Sequence, residues 1–328
     1  MNLAAGGKLH FTRRLVALVA TIASLMFIGL ASAQEFPTRP VKMILPYAAG
    51  GGTDVLARFY TAGLTQRLGQ PVIVENRGGG GGLIGIRATL QAPADGYTML
   101  FTTSIVALNP LMYKTAGYKF DDFATVGPAG YYNYLLAVHN SVGAKNVKEL
   151  VAYAKANPGK LNYASLGQGS PTTILTKRFL HAAGIEAVEI PYPGAGPSIK
   201  DLLAGTVQMS FVAAADPYLK MPNVTSVGLA DERHIPVAPE LNTFIEQGLP
   251  TIVGGTWFGV FAPAKTPAPI VARTRSALIA TGIDIKDKLA ATGTWLVPGG
   301  AEAFPEFIKR DMALWEADIK RLNIQINE

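Results

Sequence analysis

The chain contains no cysteine. That excludes disulfides, thiolate metal sites and a cysteine nucleophile. An exported chain of this size without disulfides relies on its core, which fits a bacterial periplasm better than a small stapled secreted domain. Charge is scarce as well: only 16% of the residues are charged, and they are scattered. With no basic block and no interleaving of basic and aromatic residues, nucleic acid is not an expected partner. The four histidines (His10, His139, His181 and His234) stand far apart. None is spaced from another as a metal ligand would be, and no acidic cluster offers an oxygen site. No metal is expected.

Catalytic patterns are missing too. Gly7-Lys8 and Gly159-Lys160 lack the rest of a phosphate-binding loop, and "SLGQGS" at 165–170 has its glycines and serines in the wrong order for a nucleophile elbow. The chain is not expected to be an enzyme. A literal G-x-G-x-x-G occurs at Gly80, Gly82 and Gly85, but the acidic residue that would hold a ribose about twenty positions on is absent. Glycines needed for positive φ or close approach explain the run equally well. No cofactor is expected.

Beyond the N-terminus no apolar run reaches membrane-spanning length. At the N-terminus, Lys8, Arg13 and Arg14 precede "LVALVATIASLMFIGL", and Ala31-Ser32-Ala33 follows it. This reads as a signal peptide, residues 1–33, cleaved after Ala33; the alternative is a retained anchor, for which the run is short. The residues around the paired arginines suit the general secretory route better than the twin-arginine one. Without that segment the formal charge falls from +6 to about +3.

What the sequence does hold is a repeated rhythm of apolar strand, glycine-rich or polar turn, and amphipathic helix. "VKMILPY" passes through Gly50-Gly51-Gly52 into a helix expected to bury Val55, Leu56, Phe59, Tyr60, Gly63 and Leu64. "QPVIVEN" leads through a second glycine run into "LIGIRATLQA", and "GYTMLFTT" is followed by a turn opened by Asn109-Pro110. Asn146 caps "VKELVAYAKA". "KLNYASL" then reaches a helix with Ser170 as N-cap, Pro171 first and Gly184 as its stop. Alternation of this kind predicts an α/β fold with mostly parallel sheets. "VGPAGYYNYLLAVHNS" and "TWFGVFAPAKTP" have no following helix of the usual kind and read as strands crossing between two domains. The expected division is 34–128 plus 257–328 for domain 1, with 129–256 inserted as domain 2.

Two loops, Tyr47–Asp54 and Ser165–Thr172, place small residues and hydroxyls at helix N-termini, and neither contains Lys or Arg. Free N–H groups and the helix dipole make such a place an anion receptor; a tight turn before a capped helix would look the same. Tyr47, Tyr131 and Tyr192 are candidates for a pocket wall, or are simply exposed.

"FPTRPVKMILPYAAGGGTDVLARF", "LGQPVIVENRGGGGGLIG", "DGYTML", "ANPGKLNYASLGQGS", "IPYPGAGPSIKDLLAGTV" and "PELNTFIEQG" occur in that order from Phe36 onward. Together they closely resemble the substrate-binding proteins of tripartite tricarboxylate transporters, the Bug (Bordetella uptake gene) family. The resemblance implies a two-lobed periplasmic binding protein fold of type II, a monomer whose cleft clasps a small carboxylate for the integral-membrane subunits of the transporter. It points to Tyr47, Ala48, Gly51, Thr53 and Asp54 in the first loop and to Ser165, Gly167, Gly169, Ser170 and Thr172 in the second. Thr103, Ser104, Tyr192 and Gly194 would complete the cleft. Asp54 would support its loop rather than touch an anion, which it would repel. The family often carries an acid where this chain reads "QMSFVAAAD", so the expected ligand is a carboxylate without an α-amine, aromatic or a dicarboxylate. A periplasmic sensor that presents the bound carboxylate to a membrane signalling kinase is the alternative.

Overall fold

The computed structural model describes residues 36–324 other than 168, 193, 298 and 323; the expected signal segment lies outside the described residues. Between Arg39 and the C-terminus the chain forms one compact unit. Its first half builds β1 (Val41–Leu45), α1 (Gly52–Leu68), β2 (Val72–Asn76), α2 (Leu83–Leu90), β3 (Thr98–Thr103) and α3 (Ile105–Met112). A long strand, β4 (Phe123–His139), then leads to α4 (Val147–Ala156), β5 (Asn162–Ser165), α5 (Pro171–Ala183), β6 (Val188–Pro191) and α6 (Ala195–Leu203). After these come β7 (Met209–Ala213), the short α7 (Asp216–Leu219) and β8 (Val224–Ala230). Finally β9 (Gly255–Pro263) brings the chain back to α8 (Ala268–Asp284), α9 (Lys286–Ala291) and α10 (Gly300–Arg321).

The strands form one curled sheet in the order β2-β1-β3-β9-β4-β7-β5-β6, with β8 pairing β4 as a branch. The pairs at its two ends are parallel. All pairings of the two crossover strands are antiparallel. The reason is topological: a strand that leaves a parallel half and one that re-enters it run against their neighbours. β4 is divided along its length. Residues 123–133 pair with β9, and from Tyr134 onward β4 pairs with β7 and β8. The crossing strands touch where a side chain would not fit: a Cβ on Gly255 would lie 2.3 Å from the Tyr132 carbonyl oxygen. β3 and β9 are buried along nearly their whole length, as expected of strands covered on both faces.

Local signals located several elements to the residue. The Ser170 side chain accepts from the Thr173 N–H, Pro171 opens α5, and Gly184 closes it in the left-handed region. Asn146 caps α4 through the Glu149 N–H. The buried face of α1 is rotated from the expected one: Leu56, Tyr60 and Leu64 are buried as anticipated, joined by Asp54 and Ala57, while Val55 is 38% exposed. Asn109-Pro110 was expected to open a turn, yet both residues lie inside α3. Pro110 cannot donate to the Val106 carbonyl, so helix here needs another donor. The Tyr118 hydroxyl supplies it, at 3.0 Å. Asn109 is buried and donates to the Gly81 carbonyl at 3.0 Å.

The last helix joins both parts of the sheet. Phe304 and Ile308 enter the core around Ile44, Leu100, Trp257 and Phe261. Trp315, Ile319 and the following Ile324 enter the core around Leu136, Leu175, Phe179 and Phe211. Midway along α10, Asp311 accepts from the Trp257 indole at 2.8 Å and from the Trp315 indole at 2.9 Å. Burial pushes its carboxyl up to about 6. One turn beyond Trp315, Asp318 forms a buried ion pair with Arg178 of α5.

Candidate functional site

Strand register places the site. β3 runs toward the stretch of β4 around Gly130 and Tyr131, since Thr103 lies opposite Phe258, and Phe258 opposite Gly130. On the other side β7 ends opposite Tyr134, and β5 runs parallel to β7. The carboxyl ends of the parallel strands in both halves therefore face β4 at residues 130–134. In open α/β sheets ligands bind outside such ends.

The first loop leaves β1 here. Its backbone is organised by Asp54, which is 4% exposed. One carboxylate oxygen accepts from the Gly50 N–H at 3.0 Å and the Arg58 Nε at 2.9 Å. The other accepts from Asn76 Nδ2 at 2.9 Å, and Asn76 also donates to the Tyr47 carbonyl at 3.2 Å. Arg58, followed by the Gly50 N–H and Asn76, holds the Asp54 carboxyl down to about 2 against the opposing effect of burial. The carboxylate thus ties the loop backbone at Gly50 to Arg58 and Asn76. Gly50 sits at φ +84°, in the left-handed region that favours glycine. Ala48, Gly51 and Gly52 are exposed and Thr53 is half-buried, so the first turn of α1 is open to solvent.

The second glycine run has a packing role. A Cβ on Gly85 would lie 2.8 Å from the Arg77 carbonyl and 2.9 Å from the Pro46 backbone, and Gly79 through Gly82 all have positive φ. Those glycines seat α2 against the end of β1 and carry a backbone that other residues adopt poorly.

The second loop is held by hydroxyls, with the Glu189 carboxylate engaging Ser165. Ser165, fully buried, meets Thr173 Oγ1 at 2.9 Å and accepts from the Gly167 N–H at 3.2 Å. Ser170 Oγ meets Thr173 Oγ1 at 2.7 Å and Thr172 Oγ1 at 3.2 Å. Gly167 has φ +99° with open space around it; Gly169 and Thr172 are buried and Ser170 is half-buried.

The remaining expected residues divide. Thr103 meets the Tyr47 hydroxyl at 2.6 Å. Burial pushes that phenol up to about 12, so it stays neutral. Ser104 is buried and engaged by Thr256 of β9 at 3.0 Å. Tyr192 donates its N–H to the Ser165 carbonyl, which ties it to the second loop, but its hydroxyl donates to Asp201 of α6 at 2.7 Å. Gly194 is the half-exposed N-cap residue of α6. Tyr131 packs against Phe307, ring centroids 6.1 Å apart.

Sequence reasoning missed Arg58 and Asn76 as partners of Asp54, although the i,i+4 spacing of Asp54 and Arg58 was visible. Surface cavities of about 350 Å³, beside Lys145, Leu219 and Leu241, and about 230 Å³, beside Arg39, Asp95 and Tyr97, are lined by none of the loop residues. Among the described residues no cluster of His, Asp or Glu is arranged to hold a metal, and no helix is long and apolar enough to cross a membrane.

Residues 56–324 match the family described as "Tripartite tricarboxylate transporter family receptor". The chain belongs to the TctC family. Among TctC relatives, BugT of Bordetella pertussis is 33% identical over 80% of this chain and 82% of its own length. The structure of R. palustris Rpa4515 with adipate superposes with a TM-score of 0.82 at 31% identity, covering 89% of this chain and 99% of that one. MatC from Rhodopseudomonas palustris with bound malate gives a TM-score of 0.77 at 28% identity, covering 87% and 100%. The α/β, two-lobed periplasmic binding protein fold is shared with the structure of periplasmic binding protein BugD, TM-score 0.80 at 28% identity, covering 88% of this chain and 99% of that one.

Proposed function

We propose that this protein is a periplasmic solute receptor that captures a small carboxylate without an α-amine. It does so by closing its two halves, and it hands the ligand to the integral-membrane subunits of a tripartite tricarboxylate transporter. The observation that carries this reading is the pairing of two long helices, α1 and α5, one from each half. Each begins at a glycine- and hydroxyl-rich loop at the carboxyl edges that converge on β4. The first turn of α1 has no side-chain cap, the dipoles of both helices favour an anion, and neither loop contributes a basic side chain that would make the charge permanent. Ala48, Gly51, Thr53, Gly167 and Ser170 offer the accessible surface of the clasp; Asp54, Ser165 and Thr172 hold it in shape. The end of β7 carries Ala213-Ala214-Ala215, which offers no acid to pair with an ammonium group.

Closure follows from the same topology. Residues 34–128 with 257–328 would form one body and 129–256 the other, bending where β4 changes partners and Gly255 crosses it. Binding of this kind needs no bond chemistry, and a monomer suffices for it. Bound adipate and malate in two TctC relatives support the carboxylate.

The test is thermal unfolding of protein that has been unfolded and refolded to strip any carried ligand. The panel contains aliphatic and aromatic carboxylates, amino acids and the uncharged amides. A carboxylate at a hundred times its Kd adds about 2.7 kcal/mol, visible as a higher Tm. Stabilisation by acids and not by their amides supports the clasp. Equal stabilisation by both, or by amino acids above all, overturns it.

A further inference from the structure

Resting on the closure reading above, we propose that Asp311 is a positioning residue for the two halves. Its carboxylate splints the one turn of α10 at which the helix passes from the first core to the second. Phe304, Ile308 and the half-buried Met312 belong to the core around Trp257, while Trp315 and Ile319 belong to the core around Phe179. The change of core therefore falls in the turn from Asp311 to Trp315. Each oxygen of the carboxylate takes one indole: Oδ2 accepts from Trp257 of β9 at 2.8 Å and Oδ1 from Trp315 at 2.9 Å. Trp257 is set in the first core, its ring centroid 5.5 Å from that of Phe304 and 5.9 Å from that of Phe261. Trp315 lies 5.0 Å beneath the guanidinium of Arg178. Arg178 in turn is tied to the second half. It donates to the Val253 carbonyl at 2.6 Å and the Thr251 carbonyl at 3.3 Å, and it pairs with Asp318. One carboxylate thus joins an indole held by one core to an indole held by the other.

Rotation of one half against the other has to bend α10 in this turn or slide the helix over one of the cores. Both oxygens of an ionised carboxylate accept well, and protonation turns one of them into a donor. One indole then loses its acceptor, and the turn loses its splint. Asp311 is half-buried, so a proton reaches it from solvent. Burial raises its carboxyl to about 6, against the two indoles and Arg178, which favour the charge. Arg178, itself paired with Asp318, is the charged group that faces it from α5. β9 contains no ionisable residue, and neither does α3, which also packs on α10. From β4, Tyr131 packs one turn away against Phe307. In α8, Arg273 is exposed, Arg275 is taken by the carbonyls of Thr125 and Val126, and Asp284 by Arg67. One turn along α10 in either direction stand Phe307, Ile308, Leu314 and Trp315, none of them charged. The carboxyl is raised above its unfolded value, so protonating it does not weaken the fold. What changes is the hold on the turn.

Because the chain has no cysteine, two spin labels can be placed without background, at Ala62→Cys on α1 and Ala182→Cys on α5. Both positions are exposed, one in each half. Distances between the labels are read by double electron–electron resonance on the stripped protein at pH 7.5 and pH 5, and at pH 7.5 with adipate, malate or benzoate. The expected result is a single distance at pH 7.5 and a second population at pH 5. Asp311→Asn keeps one carbonyl oxygen and cannot ionise, so it should show the second population at both pH values. Trp257→Phe, which keeps a ring and removes the N–H, should show it at pH 7.5 as well. Circular dichroism establishes that each variant folds, and either folded variant is decisive without the other. A distribution in the unsubstituted protein that is the same at both pH values overturns the splint. So does a pH dependence that survives in Asp311→Asn, or a folded Trp257→Phe with the single distance at pH 7.5. An acid that alters the distance where pH does not leaves closure standing without the splint. A distance that pH alters and none of the three acids does removes closure around these carboxylates and keeps the splint.

Discussion

The two loops that face β4 present the same thing, a helix N-terminus with bare backbone before it, but they are built by different physics. The first is organised by an ionised carboxylate: Asp54 gathers the Gly50 N–H, Arg58 and Asn76. The second uses hydroxyls, Ser165, Ser170 and Thr173, with the Glu189 carboxylate engaging Ser165 from β6. A loop of consecutive glycines has no side chains with which to fix itself, so a buried charge with several donors does the work from below. The cost is a negative charge near an anion site, which Arg58 offsets. The second loop has side chains of its own, and the carboxylate that reaches Ser165, Glu189, is paired with Lys177.

This contrast can be broken experimentally. Asp54→Ala should give the largest effect, a loss of about 3 kcal/mol in urea unfolding, because it strips a buried acceptor from several donors at once. A loss under about 1 kcal/mol would mean that the first loop is not charge-held. Gly51→Val is the converse. Its φ is −78° and a Cβ there finds only the Ala48 carbonyl, at 3.9 Å, so the fold should be unaffected. The branched side chain would nevertheless crowd the start of α1, and the ligand-induced gain of about 2.7 kcal/mol should disappear from thermal unfolding.

Acid sharpens the comparison. The Asp54 carboxyl is held down to about 2, below its unfolded value, so its contribution is complete above about pH 4 and is lost as pH falls through about 2. Urea midpoints measured from pH 5 to pH 2 should lose about 2 kcal/mol through this group, and Asp54→Asn should flatten that part of the curve. Ser170→Ala should have the smallest effect, about 1 kcal/mol from the lost cap, by the same amount at every pH. A pH-dependent Ser170→Ala effect would show that the Glu189 carboxylate acts on the cap through Ser165 and Thr173.

Much of this was legible in the sequence where the cause is local. Ser170, Pro171 and Gly184 mark α5 because caps act within a turn. The strand–loop–helix rhythm gave the α/β class, and the two helix-free aromatic segments are the strands β4 and β9. What stayed hidden depends on distant partners. Nothing near Pro110 announces that Tyr118 will satisfy the carbonyl it orphans. Nor does anything near Tyr192 announce that its hydroxyl will donate to Asp201. Likewise α10 looks like an ordinary amphipathic helix of the first domain, and only packing reveals that its second part completes the core of the other half.

That division of α10 has a consequence for the order in which the protein can form. Chains are made from the N-terminus, and domains usually fold as units while they emerge. Here the first core lacks Phe304 and Ile308, and the second lacks Trp315, Ile319 and Ile324, until the stretch 300–324 has been synthesised. Both cores are therefore completed by the same segment.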